Sequence, residues 1–285
     1  MSWIASDDGP WILVTNDDSL DSPSLAPLLG QLSTILPVRA VLPAAECSWT
    51  GKRMTRFGEV ELAGIESAAI PTWTLSGSPA DCANVGIHHL CERQPCLVVS
   101  GINVGTNAGL AYILSSGTIG AAVEAALNGV PALAFSVGLE KADYERWRQT
   151  RDLSNLVDLW AAAARVSAEI AAEAVSGGLP EGCALLNVNM PPTTTASTAR
   201  RMTSISKSSY GSFFKRVGPG RYSYDSANLE IQQAGGDSDL NVLAAGAVSI
   251  TPMQLDQSIA VGPDGARFRS SRVVDWELPD AAKPG

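Results

Sequence analysis

Short apolar runs alternate, over the first half of the chain, with stretches in which leucine or alanine returns every three or four residues. Trp11 to Thr15 is the first such run, apolar and β-branched and cut off by polar residues, which predicts a strand buried on both faces. Val38 to Leu42, Cys96 to Val99, Ala132 to Val137 and Ala184 to Val188 read the same way. Between the first two, Leu25, Leu28, Leu29, Leu32 and Leu36 have helical spacing behind Ser22-Pro23. A cap at Ser24 would place Pro27 in the first turn, where no backbone donor is lost. Ser78-Pro79-Ala80-Asp81 predicts a capping box opening a helix through Val85 and Ile87, with Asp81 as a helix-start residue. Ser115 to Leu127 is another helix, closed by Gly129 and Pro131, and Asp152 to Val175 a long amphipathic one stopped by Gly177-Gly178. This alternation predicts an α/β fold, a parallel sheet wound with helices on both faces.

Two regions break the alternation. Val60 to Leu75 is expected to be a hairpin covering one edge. From Thr193 onward Ser, Thr, Gly, Tyr and Arg dominate, with β-like pieces at Arg201 to Ile205, Phe213 to Val217 and Arg221 to Tyr224. These are read as hairpins projecting from the core, with Ala247 to Thr251 as a last core strand. The resulting division is an extension over 1–10, a core over 11–192, a hairpin-rich region over 193–257 and a polar tail over 258–285.

Composition narrows the function classes. With 45% hydrophobic and 17% charged residues in 285, a sizeable core is expected and wholesale disorder is not. A formal charge of −9 argues against a surface for duplex nucleic acid. The basic residues Arg200, Arg201, Lys207, Lys215, Arg216 and Arg221 are read as a solvated or oligomer-facing surface rather than substrate contacts. Five cysteines without a CxxC pair indicate neither a zinc site nor a disulfide framework. Met1 to Pro10 lacks the pattern of a signal peptide, and no apolar run approaches membrane-spanning length. A soluble cytoplasmic protein without a membrane partner is expected.

Polar residues gather where three of the predicted strands end, and in a parallel sheet those ends share the ligand-binding edge. Asn16-Asp17-Asp18 follow Thr15. Two adjacent carboxylates either cap or turn the chain, or hold a divalent cation that relieves their repulsion. The loop from Ala44 to Thr55 follows Leu42 and carries Ser48, Gly51, Lys52, Arg53 and Thr55. Ser100 to Gly109 follows Val99, with glycines and the amides of Asn103 and Asn107 suited to close approach of a ligand. Ser116-Gly117-Thr118 opens a helix, as an ordinary cap or as a phosphate seat. Neither a Walker pattern nor GxGxxG is present. His88 and His89, without a ligand partner at suitable spacing, are read as surface residues.

Taken in order, Ile12-Leu13-Val14-Thr15-Asn16-Asp17-Asp18, the Ser48 loop, Gly77 to Cys82, Ser100 to Asn107, Ser116 to Ala122 and Val248-Ser249-Ile250-Thr251-Pro252 resemble the SurE family of survival-protein nucleotidases, over roughly residues 11 to 256. The resemblance implies a Rossmann-like domain with a divalent-metal phosphatase site acting on nucleoside 5′- or 3′-monophosphates. It implies Asp17, Asp18, Ser48 and Asn103 as metal ligands and Ser116, Gly117 and Thr118 as the phosphate segment. It also implies a carboxy-terminal half that assembles dimers or tetramers. Ser19 stands where the family usually has glycine, Ser22-Pro23-Ser24 replaces Ala-Pro-Gly, and Trp49 and Thr50 interrupt the Ser-Gly of the metal loop.

The expected protein is therefore a phosphomonoesterase using Mg²⁺ or Mn²⁺, since all-oxygen ligation suits these over zinc. Asp17 and Asp18 are its catalytic candidates, with Asn16 and Asn107 beside the phosphate. Trp49 either meets the substrate's organic portion or packs away from it. A phosphatase specialised for another metabolite, or a non-catalytic nucleotide-binding protein, is the alternative on the same scaffold.

Overall fold

The computed structural model describes residues 9–225 and 236–256. One compact unit runs to Gln254; residues 255–285 group separately, and only Leu255 and Asp256 of these are described. The tail over 258–285, and the extension apart from Gly9 and Pro10, lie outside the described residues.

The first half follows the predicted alternation: β1 (Ile12–Thr15), α1 (Leu25–Leu32), β2 (Val38–Pro43), β3 (Leu62–Gly64), β4 (Thr72–Leu75), α2 (Pro79–His89), β5 (Leu97–Val104), α3 (Leu110–Ser115), α4 (Gly117–Leu127) and β6 (Ala132–Val137). Then come α5 (Lys141–Thr150), α6 (Val157–Gly177), β7 (Leu185–Met190), β8 (Arg200–Met202), β9 (Phe214–Gly218), β10 (Arg221–Tyr224), α7 (Asp239–Ala244) and β11 (Val248–Met253). The main sheet has nine strands in the order β3-β4-β2-β1-β5-β6-β7-β11-β8. Strands β4 through β7 along this order are parallel, whereas β3 on β4 and β11 on β7 are antiparallel. The hairpin β3–β4 covers one edge as expected. At the other edge Arg200–Met202 pairs with β11 in the main sheet, which corrects the reading of that segment as a projecting hairpin. Among the described residues, only β9 and β10 form a separate ribbon.

The central strands are apolar because both their faces are covered: Ile12, Leu13 and Val14 are fully buried. Helix α1 packs with α6 on one face and α2 with α4 on the other. Leu28, Leu32, Phe135, Val188 and Trp160 belong to the core on the α1–α6 face, and each such side chain contributes roughly 1.5–3 kcal/mol by burial. The capping box at Ser78 and Asp81 forms, and Gly178 ends α6 at φ +77°. Ser24 precedes α1 but does not cap it; its hydroxyl donates instead to the Ile102 carbonyl at 2.6 Å. Helix α5 was not expected, because it buries none of its residues and so shows no apolar stripe.

Two features of the sheet place the site. The order turns at β1, which has β2 on one side and β5 on the other, so the crevice opens between the ends of β1 and β5. Strand β5 runs on to Val104, past the expected end, with an irregularity between Ser100 and Asn103. Gly101 makes this possible: its φ is +123°, and a Cβ there would lie 2.3 Å from the Phe135 carbonyl oxygen.

Candidate functional site

The turn after β1 is closed by Asn16. Its buried side chain donates to the Ser19 carbonyl at 2.8 Å and accepts from the Ser19 amide at 3.0 Å. The asparagine thus shapes the turn that carries the acid pair, with Ser19 at φ +68°. Asp17 faces the start of α4, where the Thr118 hydroxyl donates to Oδ1 at 2.8 Å and the Thr118 amide to Oδ2 at 3.3 Å. Asp18 is turned to the end of β5 and accepts from the Val104 amide at 2.9 Å. Burial pushes the Asp17 carboxyl up to about 6, against the pull of the Thr118 hydrogen bonds. Burial and then the charge of Asp17 raise Asp18 well above its ordinary value.

The loop after β2 is tied to both neighbours. The Cys47 amide donates to the Asp17 carbonyl at 2.8 Å, and the Gly51 amide to the Ser115 carbonyl at 2.9 Å. Its approach to α4 requires two glycines. A Cβ on Gly117 would lie 3.0 Å from Asp17 Cβ and Cys47 O, and one on Gly120 only 2.4 Å from Gly51 O. Lys52 and Thr55, which the sequence offered as binding groups, hold the loop instead: Lys52 pairs with Glu124 at 2.7 Å, and Thr55 donates to Asp81 through its amide and hydroxyl. Ser48 is exposed and donates to Glu46 at 2.7 Å. Glu46 pairs in turn with Arg151, whose guanidinium lies 4.2 Å from the Trp147 ring centre. Trp49 follows at φ +61°, a left-handed conformation unusual for a bulky residue.

Asn103 donates its amide nitrogen to the Gly105 carbonyl at 2.8 Å, leaving its side-chain oxygen as the group able to ligate. Asn107 belongs to a buried polar network. Its side chain donates to Ser136 at 2.9 Å and lies 3.4 Å from the Thr118 hydroxyl, while its backbone is held by Asn187 and Asn189. A chain of contacts thus runs from Asp17 through Thr118 and Asn107 to the end of β7. The Ser116 hydroxyl caps α4, accepting from the Ile119 amide at 3.1 Å.

Asp17, Ser48, Trp49, Asn103, Asn107 and Ser116 all border one cavity of about 660 Å³. Asp18 is not among its lining residues but bonds beside Asn103 at Val104, which is. Among the described residues no group of three or more His, Cys, Asp or Glu side chains is placed to hold a metal. A cation here would rest on two carboxylates supplemented by an amide and a hydroxyl oxygen. That set fits a hard divalent ion, whose charge would offset the burial and repulsion that raise both acids.

The profile of the family described as Survival protein SurE matches residues 12–212. The chain belongs to the SurE family. It is 34% identical over 253 residues to the 5′-nucleotidase SurE of Methanocella arvoryzae, covering 87% of this chain and 92% of that one. It is also 34% identical to the 5′-nucleotidase SurE of Symbiobacterium thermophilum, covering 86% and 92%. The crystal structure of the SurE protein from Aquifex aeolicus superposes with a TM-score of 0.69 at 27% identity, over 87% of this chain and 95% of that one. The family is one of hydrolases and is generally metal-dependent. Among the described residues no helix is long and apolar enough to cross a membrane.

Several residues of this SurE-family site have no signal that periodicity reveals. Asn187 and Asn189 sit in an otherwise apolar strand, and their two-residue spacing on one face is the available hint. Glu46 and Arg151 meet across about a hundred residues of chain. The aromatic residues Tyr112, Tyr144, Trp147 and Tyr224 reach the cavity from α3, α5 and β10.

Proposed function

We propose that this protein is a divalent-metal-dependent phosphomonoesterase that hydrolyses nucleoside 5′- or 3′-monophosphates. The observation that carries the reading is the acid pair at the switch point of the sheet, one member held by the amino end of α4. The nucleotidase relatives support the substrate class.

Asp17, Asp18, Asn103 and Ser48 would hold Mg²⁺ or Mn²⁺. Such an ion, when bound, polarises a phosphate oxygen and lowers the pKa of a ligated water. The chain's own residues do the rest. Thr118 and the dipole of α4 stabilise negative charge beside Asp17, and the developing charge on a phosphoryl group would gain from the same field. Asp17, fixed by Thr118 at the amino end of α4, is the carboxylate suited to position a water or take its proton. Asn107, fixed by Asn187 and Asn189, keeps Thr118 in place. Residues 193–257 are the proposed assembly region of a homodimer or homotetramer.

The test is release of inorganic phosphate from 5′-AMP and 3′-AMP with Mn²⁺, repeated after EDTA. Release with metal and none after chelation is expected. No release from either nucleotide overturns the reading.

A further inference from the structure

We infer that Trp49 is a specificity-determining residue: it makes the cavity select phosphate monoesters whose organic portion carries a flat aromatic ring over those that carry only a sugar or polyol. This rests on the phosphomonoesterase reading and extends it to the part of the substrate that does not react.

The cavity is larger than a phosphate needs. Its volume of about 660 Å³ lies in the range of sites that enclose a whole small ligand. Its lining includes five aromatic residues, Trp49 on the loop after β2, Tyr112 of α3, Tyr144 and Trp147 of α5, and Tyr224 of β10. Trp49 links them. Its ring centre lies 5.7 Å from Tyr112, 5.0 Å from Phe213 and 6.1 Å from Tyr210. All three contacts are tilted or edge-on, at 52°, 75° and 77°, so among the described residues none of these rings lies parallel to the indole. The residue also remains 46% exposed while bordering the cavity. A flat ring is a ligand that such a partly exposed aromatic cluster suits, through offset or edge-to-face contact with the indole.

Charge and backbone agree. Among the described lining residues there is no Lys, Arg or His, and Asp17 is the single acid. The lining thus offers no cation to a second anionic group, and a neutral ring needs none. Trp49 holds its ring in place from a φ of +61°, a conformation that glycine adopts freely and tryptophan does not. A side chain kept against its own backbone preference, beside a reaction site, points to a task for the ring.

The experiment compares kcat/KM for 5′-AMP and ribose 5-phosphate, with Mn²⁺, in wild type, Trp49→Gly and Trp49→Phe. The two esters share the reacting phosphate and the sugar and differ in the base. Wild type is expected to favour AMP by roughly tenfold to a hundredfold, the range set by one base–aromatic stack. Trp49→Gly should collapse that ratio toward one, and Trp49→Phe should retain most of it. A Trp49→Gly enzyme that loses both esters equally, or keeps the wild-type ratio, overturns the proposal. Binding of adenosine to the metal-free protein, by calorimetry, tests the same point without turnover. It should weaken roughly tenfold or more in Trp49→Gly and little in Trp49→Phe. Phosphate release from neither ester would count against the phosphomonoesterase reading alone; unchanged adenosine affinity in Trp49→Gly would count against the ring's role alone.

Discussion

Thr118 holds Asp17 with both of its donors, the hydroxyl 2.8 Å from Oδ1 and the amide 3.3 Å from Oδ2. The start of α4, read from the sequence as either a cap or a phosphate seat, is therefore already engaged with one member of the acid pair. The amino end of α4 and the turn after the first strand are joined through Asp17.

The metal-free protein should lose stability as pH rises because of this pair. Asp17 titrates near 6 when folded, above its ordinary 3.8, so the folded state keeps a proton that the unfolded chain has released. Its contribution to stability is present at acid pH and is lost as pH rises through about 6, at a cost on the order of 2–3 kcal/mol. Asp18, raised in the same direction, adds to the trend. In EDTA, Asp17→Asn should unfold at a higher temperature than wild type at about pH 8, and the gap should close by about pH 4. Equal gaps at both pH values would refute the burial account.

Gly120→Ala should loosen the loop after β2, which carries the proposed ligand Ser48. The new Cβ would lie 2.4 Å from Gly51 O and 2.9 Å from Lys52 Cα, both backbone atoms that cannot step aside as a side chain could. The expected result is a loss of about 1–3 kcal/mol and a rise of roughly tenfold in the Mn²⁺ needed for half-maximal rate. Gly30→Ala in α1, where a Cβ meets nothing within 4 Å, is the control and should stabilise the protein slightly. Metal titration and thermal melts of the two variants decide it.

Asn189→Ala should act at a distance. It removes the acceptor of the Asn107 amide and leaves that buried donor unpaired, costing on the order of 1–3 kcal/mol. Because Asn107 lies against Thr118, kcat should fall as well. Urea unfolding and steady-state kinetics on the same preparation check both effects; full activity in a destabilised variant would separate the network from the reaction.

The parts of this site that were legible in the sequence are local ones. Strand β1 ends where its apolar run ends, and Ser78 and Asp81 form the expected box because both partners lie within one turn. The segment over Ser100 to Val104 was read as loop, since its continuation as strand depends on Gly101 meeting Phe135 from another strand. Asn187 and Asn189 carry no local signal of their role, because a buried amide is explained only by its distant partner. Arg200, grouped with surface cations, is held by Glu169 of α6. The orientation of β11 and the capture of β8 beside it follow from the edge of the sheet, which no local pattern records.

The ribbon β9–β10 should form part of a subunit contact. Phe214, Val217 and Tyr222 are 58%, 51% and 64% exposed, more apolar surface than an isolated ribbon favours. Light scattering should give a dimer or tetramer mass, and Phe214→Glu with Val217→Glu should lower it. A monomer at micromolar concentration would contradict this.

The most direct test of the proposed site is the rate of phosphate release from 5′-AMP as a function of Mn²⁺ concentration in wild type, Asp17→Asn, Asp18→Asn and Asn103→Ala. Wild type should turn over only with metal. Each acid variant should lose a hundredfold or more, by rough analogy with other groups that act on transition-state charge. Asn103→Ala should need more metal while its KM for AMP barely moves. Turnover that persists in EDTA, or near-full activity of either acid variant at saturating Mn²⁺, would contradict the assignment.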